Sequence, residues 1–270
     1  MIREEFIREA TTPAEAVERL RSIIAFLRSE EGCPWDKAQT HDSLRVCLVE
    51  EAYEVNDAIE NENYDNLEEE LGDVLLQVIF HGDLGSTEGR FDLTSIANRE
   101  CEKMIRRHPH VFSNFKADSI DTALEKWENV KKKENSDTIT RSMEKIPKSL
   151  PALRKSYKIQ AKAASVGFDW DHVRDAFAKV DEETSELLEV YQDGDWERVR
   201  EEVGDLLFAV VNVARFLEVD PEDALNFTSQ KFIRRFRHIE ESAGKQLEEM
   251  TLAEMDRLWE EAKANENKSL

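Results

Sequence analysis

Cysteine, glycine, proline and positive charge are all scarce in this chain of 270 residues. Its three cysteines, Cys33, Cys47 and Cys101, make no CxxC pair and no even set. That excludes a disulfide framework and points to a reducing, cytoplasmic setting. Lysine and arginine number 37 against 59 aspartates and glutamates, a net charge of −22. An unaided nucleic-acid or membrane surface needs a basic footprint, so neither is expected. A negatively charged substrate stays open, provided that metal ions or local cations neutralise the contact. The longest apolar runs, such as VLLQVIF at 74–80, are too short to span a bilayer. The opening MIREEFIREA has neither the basic nor the apolar region of a signal peptide.

What remains is helical spacing. Val17, Leu20, Ile24 and Leu27 recur every three or four positions, as do Leu48, Ala52, Val55 and Ile59. Leu67, Leu71, Val74, Leu75 and Val78 mark a third face. No stretch alternates as a strand does, and the fold class expected is all-α. NENYDN at 61–66 and QDGD at 192–195 read as turns between helices. Asp65 with Glu68 resembles a capping box with Asp65 as the cap. Trp35 in CPWD and Trp170 in GFDW read as anchors at helix starts.

One pattern occurs twice. Glu50, Glu51 and Glu54 form Glu-Glu-x-x-Glu, and Glu70, Gly72 and Asp73 follow; Glu182, Glu183, Glu186, Glu202, Gly204 and Asp205 repeat it 132 residues later (182 − 50 = 132). KMIRR at 103–107 returns as KFIRR at 231–235, and WENVK at 127–131 as WEEAK at 259–263. A tandem pair of similar helical-bundle domains follows: residues 1–133 and 150–270, joined by a linker at 134–149 within a charged run.

Residues three or four apart share a helix face, so Glu51 with Glu54 and Glu70 with Asp73 can meet across an antiparallel helix pair. Their second-copy equivalents are Glu183, Glu186, Glu202 and Asp205. Four carboxylates at contact distance repel unless a cation neutralises them. Oxygen-only ligands suit a hard ion, Mg²⁺ or Mn²⁺. An isolated Glu-Glu-x-x-Glu more often marks a solvated helix face; here the duplication and an in-helix glycine, which costs about 1 kcal/mol against alanine, favour metal. Gly72 and Gly204 suggest close approach of another backbone or a ligand. A di-iron centre would need Glu-x-x-His, and no histidine stands three residues after a cluster glutamate.

A magnesium cluster flanked by cations suggests phosphate chemistry. Lys179 and Arg198 each precede a cluster acid by four residues, where the first copy has Cys47 and Asn66; Arg200 stands where it has Glu68. The second copy is therefore the better-equipped phosphate site. Lys231, Arg234 and Arg235 could clamp phosphates, and Trp259 could stack on a base or pack against Met255 and Ala262.

GCPWDKAQTHDSL, LVEEAYEV, EELGDVLLQVIFH and RRHPHVF in the first half, with VGFDW, EEVGDLLFAVVNVAR and KFIRRF in the second, resemble the MazG family of nucleoside triphosphate pyrophosphohydrolases, and its two-domain members in particular. The resemblance implies Mg²⁺-dependent cleavage of the α–β phosphoanhydride, giving a nucleoside monophosphate and pyrophosphate, by a homodimer of helical domains. Carried over by motif position, it implies Glu183, Glu186, Glu202 and Asp205 as metal ligands. It implies nucleotide contacts from Lys179, Glu182, Glu183, Arg198, Arg200, Glu201, Lys231, Arg234, Arg235 and Trp259. It also associates activity with the C-terminal copy, leaving Glu51, Glu54, Glu70 and Asp73 as a second metal site. Glu182, one residue round the helix from Glu183, is the candidate general base. The competing expectation is a metal-stabilised helical scaffold that senses nucleotides or binds a protein partner.

Overall fold

The computed structural model describes residues 4–112, 119, 122–123, 127, 130, 137–192 and 194–266. Among them every regular element is helical and none is a strand, the all-α class expected. The chain divides into two compact units, Met1–Asn135 and Ser136–Leu270. Glu128 and Lys131 of the WENVK repeat, residues 131–136 of the charged run and Asp193 of the second turn lie outside the described residues. No helix among the described residues is long and apolar enough to cross a membrane.

In the first unit the long helices are α1 (Pro13–Leu27), α2 (Arg45–Glu60), α3 (Tyr64–Thr87) and α4 (Leu93–Arg107). Thr12 and Glu15 close a capping box ahead of α1, with Pro13 in the first turn, where its missing N–H costs nothing. Between α2 and α3 the cap is Asn63, not Asp65: its side chain accepts from the Asn66 N–H at 3.3 Å. Glu62 takes a left-handed φ of 52°, which closes the turn early enough for α3 to begin at Tyr64. Asp65 then lies inside the first turn, where its charge interacts favourably with the positive end of the helix dipole instead of capping it. Ile24, Leu44, Ile79, Phe80 and Leu84 form the core, against which Val17, Leu20, Leu27, Leu76 and Leu93 pack.

The second unit carries α5 (Ala152–Ala164), α6 (Val173–Val190), α7 (Trp196–Phe216), α8 (Pro221–Ser242) and α9 (Leu252–Glu266). Asp195 caps α7 by accepting from the Glu197 and Arg198 N–H groups at 3.2 and 3.3 Å. Asp220 caps α8 and is held by Arg154 at 2.8 Å. A short helix, Ile139–Glu144, forms within the stretch read as a linker, capped by Thr138 and followed by the buried Ile146.

The pairs α2–α3 and α6–α7 pack side by side in the two units. The acid-bearing helices α3 and α7 leave apolar side chains uncovered at matching positions. Leu71 and Leu75 are 51% and 37% exposed; Val203 and Leu207, 132 residues on, are 40% and 51% exposed.

Candidate active site

On α6, Lys179 and Glu183 are one turn apart, and Glu183 is the acid that the fold buries, at 5% exposure. The Lys179 ammonium lies 2.6 Å from Glu183 and 3.0 Å from the exposed Glu182. Hydrogen bonds first to Glu183 and then to Glu182 hold that ammonium well above the usual lysine range. From α7, Glu202 and Asp205 project toward the same place. One carboxylate oxygen from each of Glu183, Glu202 and Asp205 lies within 4.8 Å of the other two. Loss of solvent, followed by the like charges of Glu186, Asp205, Glu183 and Glu201, pushes the Glu202 carboxyl upward. Glu186 is exposed and falls outside the mutual set of three, yet its field reaches the cluster.

The first unit repeats this arrangement with Glu51, Glu70 and Asp73, again within 4.8 Å. Desolvation, then Asp73 and Glu54, raises Glu51; desolvation, then Glu54 and Asp73, raises Glu70. The half-buried Cys47 takes the place of Lys179 here. Among the described residues no lysine or arginine is ion-paired with this cluster. Both donor sets are oxygen-only and carry more like charge than the fold alone compensates, which fits a hard divalent cation.

Gly72 and Gly204 correct one expectation. A Cβ built on either would meet nothing within 4 Å, so among the described residues no other backbone approaches them. Both are exposed on their helices, next to the uncovered apolar positions.

A cavity of about 650 Å³ opens beside the second cluster. Lys179, Glu183 and Asp205 form its charged end; Ile159, Ala163, Phe168, Trp170, Phe208 and Ala209 line apolar walls. Gln160, Asp169, Asn212 and Arg215 add polar groups. Sequence reasoning missed this wall, and it took Trp170 for a helix-start anchor only. Part of it was readable, since Asp205, Phe208, Ala209 and Asn212 follow the spacing of one helix face. Trp35 does stand in the first turn of the short helix Pro34–Ala38, 65% exposed.

The remaining residues anticipated as nucleotide contacts do not line the cavity. Arg198, Arg200 and Glu201 are exposed on α7, and neither arginine makes an ion pair among the described residues. Arg235 pairs with Glu266 at 2.7 Å and lies 5.6 Å over the Trp259 ring; Arg234 is 3.9 Å from Glu266. Trp259 packs on Phe232, ring centroids 5.0 Å apart, and Lys231 lies over Phe227 at 5.8 Å.

Carrying the 132-residue offset along α3 and α7 shows how the copies diverge. Gln77 stands opposite Ala209, Phe80 opposite Asn212 and Asp83 opposite Arg215. Gln77 and Phe80 are buried at 7% and 5%, Phe80 within the core. Arg28 bonds Asp83 at 2.7 Å and lies 5.2 Å over the Phe80 ring. What is cavity wall in the second unit is packed interior in the first.

A family model described as "MazG nucleotide pyrophosphohydrolase domain" matches the chain twice, at residues 39–112 and 174–240. The chain is 43% identical to the Nucleoside triphosphate pyrophosphohydrolase/pyrophosphatase MazG of Thermotoga maritima, over 92% of this chain and 96% of that protein. It is 42% identical to the Nucleoside triphosphate pyrophosphohydrolase of Escherichia coli K12, over 93% and 98%. Uncharacterized protein YabN of Bacillus subtilis is 48% identical over 92% of this chain, which covers 52% of that longer protein.

Proposed function

Because the chain belongs to the MazG nucleotide pyrophosphohydrolase family, we propose that it hydrolyses nucleoside triphosphates at the α–β phosphoanhydride, releasing a nucleoside monophosphate and pyrophosphate. The observation that carries this reading is the continuity in the second unit of an apolar-walled cavity with three converging carboxylates and a lysine. Such a site takes a flat apolar ring at one end and a charged tail at the other.

Glu183, Glu186, Glu202 and Asp205 would hold Mg²⁺, or Mn²⁺ in its place. A bound ion there neutralises phosphate charge and lowers the pKa of a coordinated water. Lys179 brings a fixed positive charge to the same end of the cavity. Glu182 is the candidate base that takes a proton from the attacking water, since it lies beside Lys179 without being buried in the cluster. Arg198, Arg200, Lys231, Arg234 and Arg235 would offset charge on the departing pyrophosphate, with Glu201 and Trp259 as further nucleotide contacts.

The first unit is read as a metal-binding scaffold with a regulatory or structural role, because Gln77 and Phe80 fill the positions that line the cavity in its twin. The chain is proposed to work as a homodimer in the cytoplasm, without nucleic acid or membrane. The apolar positions exposed on both acid-bearing helices, with open space above Gly72 and Gly204, support a partner surface. Three free cysteines support a reducing compartment.

The test is a product-resolved assay of the full chain with Mg²⁺ and a nucleoside triphosphate. Monophosphate plus pyrophosphate is expected; diphosphate plus orthophosphate defeats the assignment of the bond. Light scattering that returns the mass of a single chain defeats the homodimer.

A further inference from the structure

Arginine carries donors and no acceptor, so any side-chain amide facing it must turn its oxygen that way. Asn212 is in that position. Its Oδ1 accepts from Arg215 Nε at 3.0 Å and from Arg215 Nη2 at 2.8 Å. Arg215 is itself pinned: Nη2 also donates to Asp169 Oδ1 at 2.5 Å, and the guanidinium carbon lies 4.6 Å from the Phe216 ring centroid. Asp169 Oδ1 also accepts from the Trp170 N–H at 3.0 Å, which ties the chain of contacts to the aromatic wall. The amide orientation is thereby fixed, and the Asn212 NH₂ is the end left over. That nitrogen bonds no described residue and belongs to a side chain lining the cavity.

The other amide of the wall is set differently. Gln160 Nε2 donates to the Phe208 carbonyl at 2.8 Å, and Gln160 Oε1 is sealed from solvent without a partner. Of the two amides, the one that offers the cavity a free group offers a donor.

On the reading of this cavity as the nucleotide site, we propose that Asn212 is its specificity-determining residue. Its NH₂ donates to the carbonyl oxygen at purine C6 or pyrimidine C4, so that guanine and uracil, keto at that position, are favoured over adenine and cytosine, which carry an amino group there. Phe168, Trp170 and Phe208 supply the apolar surface against the ring, while Arg215 and Asp169 are positioning residues that hold the amide in register. An amino group set against Asn212 leaves two donors facing each other unpaired, which disfavours the wrong base by about tenfold or more.

The experiment is kcat/KM and equilibrium Kd for GTP, UTP, ATP and CTP with Mg²⁺, on the full chain and on Asn212→Asp. Inorganic tripolyphosphate serves as a competitor without a base. In Asn212→Asp one oxygen still accepts from Arg215, and the other now accepts from the base. Wild type should prefer GTP and UTP; Asn212→Asp should move the ratio toward ATP and CTP by about tenfold, with tripolyphosphate inhibition unchanged. Arg215→Met should bring the ratio close to one, which a merely structural role would not do. If Asn212→Asp fails to fold, Asn212→Ser replaces it, with loss of preference as the expected result. A wild type without keto preference, or a ratio unmoved by the substitution, overturns the proposal. If no nucleotide is hydrolysed, the enzymatic reading fails by itself, and the Kd ratio still decides this one.

Discussion

The first unit supplies a recipe for closing the cavity of the second. Writing its residues into the matching positions gives Ala209→Gln with Asn212→Phe. Both incoming side chains are already accommodated in the homologous setting, Gln77 at 7% and Phe80 at 5% exposure, so the variant should fold. It places a side-chain amide and a phenyl ring where the apolar wall and Asn212 now face about 650 Å³ of open cavity. A base on an aromatic platform contributes about 1–3 kcal/mol, so its exclusion should raise KM roughly 5- to 150-fold at 1.4 kcal/mol per decade. Glu183, Glu202 and Asp205 are untouched, and stabilisation by Mg²⁺ in a thermal melt should survive. The assay is steady-state kinetics of pyrophosphate release beside a Mg²⁺ titration of the melting temperature. A double variant that melts like wild type, responds to Mg²⁺ and keeps its KM within about threefold would show that the base does not use this cavity.

Further outcomes follow from other contacts. Glu202→Ala should cut turnover by at least about 10-fold with an unchanged helical circular dichroism spectrum, because loss of a proposed metal ligand should cost at least as much as loss of an outer-sphere partner; retained turnover removes the second cluster from the mechanism. Asp83→Ala strands Arg28, a guanidinium 9% exposed whose other contacts include the Asp36 carbonyl at 3.0 Å. It should cost about 3–5 kcal/mol in urea denaturation, whereas Arg28→Met with Asp83→Leu should recover most of that loss. His81 shares one Nδ1–Nδ1 hydrogen bond of 2.7 Å with His41, and burial followed by the His41 charge lowers its pKa. The unfolded chain therefore binds the proton more readily, so this group's contribution is complete above about pH 6.5 and is lost as pH falls through the depressed folded value. The urea midpoint should drop between pH 7.5 and 5.5, and His81→Gln should flatten that slope.

Much of this architecture was legible because helices write their packing into three- and four-residue spacing. Spacing alone places Glu51 with Glu54, Glu70 with Asp73 and their repeats on facing helices, and the constant offset announces two units. The cavity was harder to see. Its wall gathers Gln160 at the end of one helix, Phe168 to Trp170 from a connecting loop, and Asn212 with Arg215 from another helix, and no periodicity links those three segments. Asn63 was overlooked as a cap because Asp65 fits the same short pattern, and only the left-handed Glu62 decides between them. For Gly72 and Gly204 the close approach expected of another backbone is not found among the described residues.

One swap between the twins has a consequence for their history. In the first unit the far end of the acid-bearing helix presents an acid, Asp83, to Arg28; in the second it presents a base, Arg215, to Asp169. Transplanting α3 into the place of α7 would set Asp83 against Asp169, anion facing anion, with Arg215 gone. The duplicates are no longer spare parts for each other: exchanging this helix alone would leave like charges where each unit now has an ion pair.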